Sequence, residues 1–152
     1  IPKPEPSLFY VKGFINRMVE LARHQYPDSH ITFHSHITPD DLILYADENL
    51  ISQVLINLLK NAIQAIEAAE IPEGIITLHA YCNENEAVLI EVSNNGPAIP
   101  PEVAEHIFIP FFTTKEGGSG IGLSISRQIV SLSGGSLSLH PGKETMFVLK
   151  FN

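Results

Sequence analysis

The run from Leu50 to Ile66 reads Leu-Ile-Ser-Gln-Val-Leu-Ile-Asn-Leu-Leu-Lys-Asn-Ala-Ile-Gln-Ala-Ile, and two amides interrupt it where apolar residues are expected. Asn57 and Asn61 are four apart, a spacing that stacks them on one face of a helix about one turn apart. A buried amide without a partner costs about 1–3 kcal/mol, so two aligned amides in such a segment need partners. Neighbouring backbone is one source of partners. A hard cation is another, because the amide oxygen is a neutral ligand suited to Mg²⁺ that also holds phosphate oxygens. From these residues alone, both remain open.

The surrounding sequence limits the alternatives. A chain of 152 residues fits one domain, and its net charge of −8 comes with nine Lys and Arg in total and no basic run. Nucleic acid is therefore excluded as an expected partner, since phosphate contacts need clustered cations. No apolar stretch approaches the roughly 18–20 residues of a membrane span, so no membrane insertion of this domain is expected. The single Cys82 cannot form an internal disulfide and suits a reducing, cytoplasmic setting. Ile1-Pro2-Lys3-Pro4-Glu5-Pro6 reads as a linker, which predicts a piece of a longer protein with its domain over residues 7–152.

Hydrophobic spacing lays out the rest. Leu8, Val11, Ile15, Met18, Val19 and Ala22 predict a helix from Ser7 to about Gln25, ended by Pro27. Alternation over Ile31–Ile37 predicts a half-buried strand, and Leu42–Tyr45 a short second one. Asp47 is placed to cap the helix carrying the asparagines, which runs to about Ala69 and is apolar nearly all round. Ile75–Tyr81 and Ala87–Ser93 read as a hairpin. Ser136–His140 and Thr145–Phe151 read as another. Between them, a Pro-, Gly- and Thr-rich stretch from Asn94 to Gly120 holds a short helical piece near Glu102–Ile107. A helix over 121–132 then ends at Gly134-Gly135. The predicted class is α+β, a mixed and largely antiparallel sheet with helices packed on one face.

Three further segments carry chemistry. Gly117-Gly118-Ser119-Gly120-Ile121-Gly122-Leu123 leads into a helix, where glycines let backbone N–H groups approach an anion and the helix dipole faces it. No Lys-Ser or Lys-Thr follows, so this is not a Walker loop, and without a preceding strand it is not a dinucleotide fingerprint. In isolation such a Gly-rich run is weak evidence, and a flexible turn explains it better. Asn94-Asn95-Gly96-Pro97-Ala98-Ile99-Pro100 closes a strand with an abrupt turn that places polar groups beside a backbone open to close approach. Phe108-Ile109-Pro110-Phe111-Phe112-Thr113-Thr114-Lys115 sets three aromatics beside a polar end, and core packing accounts for such aromatics more often than docking does.

In this order and at this spacing, the four segments resemble the N, G1, F and G2 boxes of the ATP-binding domain of sensor histidine kinases, over nearly the whole chain from Ser7 to Asn152. The strings Asn57–Ala65 and Pro110–Lys115 are the most specific part. The resemblance implies the two-layer α/β sandwich called the Bergerat fold, with ATP and Mg²⁺ as cofactors. It implies that Asn61 holds the metal and Asn57 lies near the triphosphate. Ala65, Asn94, Gly96, Ala98, Ile99 and Thr145 would surround the base. Residues from about Pro101 to Ser119 would form a lid. Gly118, Ser119, Gly120, Ile121, Gly122 and Leu123 would wrap the phosphates, with Lys115 as a γ-phosphate contact. Phe111 and Phe112 would meet a helical hairpin that bears the phosphoacceptor histidine. None of the seven histidines here sits in the motif that carries it, so the resemblance places that hairpin, which also dimerises, upstream of Ile1. A response regulator would be the partner of the full-length protein.

Departures from the family pattern also carry information. Asn94 stands where Asp is usual; its amide oxygen can still accept a hydrogen bond from the adenine amino group, but without charge assistance, a loss of about 1 kcal/mol. Ala98 and Glu144 stand where glycines are common. Asn57 stands where ATP hydrolases of the gyrase or chaperone type keep a Glu as general base, and an amide cannot take a proton. A hydrolase is therefore the less favoured alternative, and a nucleotide-sensing or docking module without catalysis is the other.

Overall fold

The computed structural model describes residues 3–112 and 122–152. In chain order the elements are β1 (Ser7–Tyr10), α1 (Val11–Gln25), β2 (Ile31–Thr38), β3 (Ile43–Ala46), α2 (Glu48–Ala68), β4 (Gly74–Cys82), β5 (Val88–Asn94), α3 (Pro101–Ala104), α4 (Gly122–Leu132), β6 (Gly135–His140) and β7 (Thr145–Phe151). Five strands form one sheet in the order β2-β4-β5-β7-β6, and β1 pairs with β3 in a separate two-stranded ribbon. Only β2 and β4 run parallel; the chain returns between them through α2, the crossover that a parallel pair requires. The expected mixed, largely antiparallel sheet is the one observed.

Strand pleating explains why the helices share one face. Ile76, Leu78 and Ala80 of β4 stand in register with Asn94, Val92 and Ile90 of β5, and these with Thr145, Phe147 and Leu149 of β7. All nine are buried. The residues between them point the other way and are mostly polar. On that outer face Glu91 accepts the Tyr81 hydroxyl at 2.8 Å and lies 3.2 Å from Nδ1 of His79. The bond to the Glu91 carboxylate raises the pKa of the Tyr81 hydroxyl above its ordinary value. The inner face is covered by α2 (Leu55, Leu58, Leu59, Ile63), α1 (Phe14, Ile15) and α4 (Ile129, Val130), which share a single core with the sheet.

The first predicted helix is corrected by the structure. Residues 7–10 are a strand, and the helix starts at Val11. The apolar spacing of Leu8 and Val11 suits a helix, but Leu8, Phe9 and Tyr10 also alternate. Pairing with Tyr45, Leu44 and Ile43 decides the outcome. The Val11 N–H donates to Leu42 O at 2.9 Å, where the ribbon hands over to the helix. The short helical piece expected near Glu102–Ile107 is a single turn at Pro101–Ala104 followed by further turns. Gly134 has φ of 81°, the left-handed stop expected after the last helix.

Asp47 is the N-cap of α2, as its position in the sequence suggests: Oδ1 accepts the Leu50 N–H at 3.1 Å. Its other oxygen accepts the Glu5 N–H at 2.8 Å, which fixes the incoming chain beside the helix. The bonds from the Glu5 and Leu50 backbone hold this carboxyl below its ordinary value of 3.8. A depressed carboxyl stabilises the fold above the unfolded value, and the contribution is lost as pH falls through the lower folded value. The melting temperature of the wild type should therefore exceed that of Asp47→Ala by a constant margin between about pH 5 and 7, and the margin should vanish in more acidic buffer. A margin that grows on acidification would contradict the assignment.

Candidate functional site

Asn57, Asn61 and Ala65 form an i, i+4, i+8 stripe along α2, about 12 Å from end to end. All three are half-buried, whereas Leu55, Leu58, Leu59, Ala62, Ile63 and Ile66 are buried. The amides thus do not sit in the core. They line the border between the buried and the exposed faces of α2, and the full desolvation cost of core amides does not arise.

Each end of the stripe meets another element at close range. At the first end α4 packs against Asn57. The Asn57 Nδ2 donates to Ser126 Oγ at 3.2 Å, and Ser126 is only 3% exposed. A Cβ at Gly122 would lie 2.8 Å from Asn57 Oδ1, so any side chain there would require the Asn57 amide to shift. At the other end the turn after β5 packs against Ala65: a Cβ at Gly96 would lie 2.9 Å from Asn94 Oδ1 and 3.5 Å from the Ala65 carbonyl carbon. Gly96 is needed here for this approach; it does not have positive φ.

That turn is held from three directions. Asn94, 5% exposed, accepts the Gly96 N–H on Oδ1 at 2.9 Å. Thr145, its neighbour on β7, donates from Oγ1 to Pro97 O at 3.2 Å. Asn95 ties the turn to the start of β4, accepting the Ile75 N–H at 2.7 Å and donating to Glu73 O at 2.8 Å. Ile99 folds back onto the core, and Ala98 is exposed. The left-handed non-glycine residues among those described are Glu70, Glu86 and Phe111, so alanine at position 98 carries no backbone strain.

The aromatic segment divides. Phe108 is packed, with its ring edge-on to Phe147 at 6.3 Å and the Arg127 guanidinium 4.4 Å from its centroid. Phe112 stacks obliquely on His106 at 5.6 Å. Phe111 is 78% exposed and has φ of 67°, an unfavourable conformation for a bulky residue. Leu123 is half-buried against the core at the start of α4. Lys115, Gly118, Ser119, Gly120 and Ile121 lie outside the described residues.

The structure therefore brings Asn57, Asn61, Ala65, Asn94, Gly96, Thr145 and Gly122 to one slot bounded by α2, the β5 turn and α4. Sequence reasoning missed Ser126 and the tethering role of Asn95. The signal for Ser126 was present in the small residues at Gly122 and Ser126, one turn apart on α4, which let that helix approach α2. Among the described residues no group of three or more His, Cys, Asp or Glu could hold a metal ion. A cation in this slot would have amide oxygen and ligand phosphates to bind, a set that fits Mg²⁺ and does not fit zinc.

Comparison with known proteins gives the same assignment. The family described as histidine kinase-, DNA gyrase B-, and HSP90-like ATPase matches residues 46–152. The C4-dicarboxylate transport sensor protein DctB of Rhizobium meliloti is 41% identical over 70% of this chain and 17% of its own length. The adaptive-response sensory kinase SasA of Microcystis aeruginosa is 38% identical over 82% of this chain and 32% of its own. The chain thus spans a third or less of these curated relatives. The catalytic domain of histidine kinase ThkA superposes with a TM-score of 0.83 at 35% identity, covering 97% of this chain and 95% of that one. ThkA has also been solved in complex with the response regulator protein TrrA. With its topology and its sequence in agreement, the chain belongs to the histidine kinase-, DNA gyrase B-, and HSP90-like ATPases and is a catalytic domain of the histidine kinase type.

Proposed function

We propose that the slot binds Mg·ATP and presents its γ-phosphoryl group to a histidine on a helical hairpin outside these residues, within a cytosolic part of the parent kinase. The observation that carries this reading is the stripe on α2. One end abuts a turn with a buried amide and a hydroxyl, suited to a planar base, and the other abuts the glycine start of a helix, suited to an anion. Asn94 Oδ1 has a second lone pair with which to accept an adenine amino proton, while Ala65, Gly96 and Ile99 give the base its apolar walls. Ala98 lies at the rim. Asn61, between the two ends, supplies the amide oxygen for the metal, which when bound neutralises phosphate charge. Lys115, Gly118, Ser119, Gly120 and Ile121 belong, in this reading, to the lid that closes over the phosphates, followed by Gly122 and Leu123. Phe111 and Phe112 face the hairpin, and the phosphoryl group passes onward to a response regulator. Residues 7–152 belong to the domain, after a linker over 1–6.

Catalysis of this kind is chiefly positioning, with little covalent chemistry for the domain itself. Asn57 fits that division of labour. Its amide is bonded to Ser126, and it offers no base to activate water, which argues against hydrolysis as the primary reaction.

Calorimetric titration tests the binding step. Mg·ATP and Mg·ADP should bind in the micromolar to low-millimolar range and Mg·GTP more weakly. Asn61→Ala should weaken Mg·ATP by roughly tenfold or more while melting cooperatively. Asn94→Asp should tighten Mg·ATP by about 1 kcal/mol, roughly fivefold, because a carboxylate adds charge assistance at the adenine amino group. For transfer, mixing the domain with its phosphoacceptor hairpin and labelled ATP should yield phosphohistidine. Tight ATP binding without phosphohistidine would favour a sensing module, and no binding at millimolar nucleotide would overturn the site.

A further inference from the structure

Asn94 lies on the inner face of β5 and is only 5% exposed. Its one side-chain bond among the described residues is the one that Oδ1 accepts from the Gly96 N–H at 2.9 Å. That bond fixes which way the amide is turned. An N–H can be met only by the oxygen, so the nitrogen and its two hydrogens are held on the other side of the group. No buried side-chain polar atom among the described residues lacks a partner, and Nδ2 has none within the protein. This nitrogen therefore lies where a ligand or water can reach it. Gly96, Ala65 and Thr145 surround the amide, which is the end of the slot assigned above to the base. Thr145 stands opposite Asn94 in register on β7 and is itself buried. Its hydroxyl hydrogen is given to Pro97 O at 3.2 Å, which leaves Oγ1 with lone pairs alone. Neighbouring strands thus carry a donor and an acceptor side by side.

Purine bases present opposite edges to such a pair. Adenine has a 6-amino donor next to N1, an acceptor. Hypoxanthine and guanine reverse both, with a 6-oxo acceptor next to an N1–H donor. A carboxylate at position 94 would accept only, whichever way it turned, and would select the 6-amino base. An amide does not make that choice. Oδ1 keeps one lone pair for a 6-amino group, Nδ2 has hydrogens for a 6-oxo group, and Thr145 Oγ1 has lone pairs for an N1–H. We propose that the base end of the slot admits 6-oxopurine nucleotides as well as adenine nucleotides, and that Asn94 is the residue that relaxes the selection. The proposal rests on the reading above that a nucleotide enters the slot with its base at the β5 turn.

Inosine triphosphate is the probe, because hypoxanthine differs from adenine only at position 6 and in the N1 proton. Guanine adds a 2-amino group, whose desolvation is a separate cost against Mg·GTP. In calorimetric titration of the 152-residue chain, Mg·ITP should bind within about threefold of Mg·ATP. Asn94→Asp should separate the two. It should tighten Mg·ATP as stated above and weaken Mg·ITP roughly tenfold, because an acceptor then faces the 6-oxo oxygen and no donor remains. The ratio of the two affinities should shift by roughly thirtyfold or more in favour of Mg·ATP. A wild-type preference for Mg·ATP above about tenfold would overturn the proposal, and so would an unchanged ratio in Asn94→Asp. Either result leaves ATP binding, and with it the proposed function, in place. Failure of both nucleotides to bind at millimolar concentration would instead remove the proposed function and this proposal together.

Discussion

The seating of α2 is the constraint on which the rest depends. Nine of its side chains are buried between the sheet and the flanking helices, and burial on that scale fixes the helix in rotation as well as in position. Once the rotation is fixed, the i, i+4, i+8 stripe of Asn57, Asn61 and Ala65 lies half-buried at the edge of the core face, beside the exposed strip of Gln53, Lys60 and Glu67. The slot is therefore a by-product of core packing, made from the half-buried border of the helix surface that the core uses. The sheet contributes in the same way. Asn94 and Thr145 are inner-face residues, continuous with the apolar rows of β5 and β7, and they become site residues because they come at the ends of their strands.

Glycine and short polar side chains then set the width of the opening. Gly96 and Gly122 let a turn and a helix come within contact of α2, and each would drive a methyl group into an asparagine amide if replaced by alanine. Bonds from Thr145, Asn95 and Ser126 keep these approaches in place. Asn57 is tied to Ser126, and no buried side-chain polar atom among the described residues lacks a partner.

Much of this was legible in the sequence because its signals are local. The α2 periodicity, the Asp47 cap, the β4–β5 and β6–β7 hairpins and the Gly134 stop each depend on residues within a few positions of one another. What was not legible depends on distant pairing. Leu8 and Val11 fit a helical spacing, and only the strand at 43–46, more than thirty residues away, makes residues 7–10 extended. Ser126 gains its role from Asn57, 69 positions earlier. The parallel pairing of β2 with β4 likewise follows from where α2 packs, which strand patterns do not encode. Asn94 shows the opposite case. Its role in closing the turn follows from one local motif, and the substitution of an amide for a carboxylate is visible in the sequence itself.

Asp47 has a mechanical consequence. One carboxylate grips both the backbone of the incoming chain and the first turn of α2. A twist or pull applied to that chain is therefore delivered first to the axis of the helix that bears the asparagines, before the sheet can absorb it. The start of α2 is thus the first part of the domain that the incoming chain grips, ahead of the β1–β3 pairing that follows.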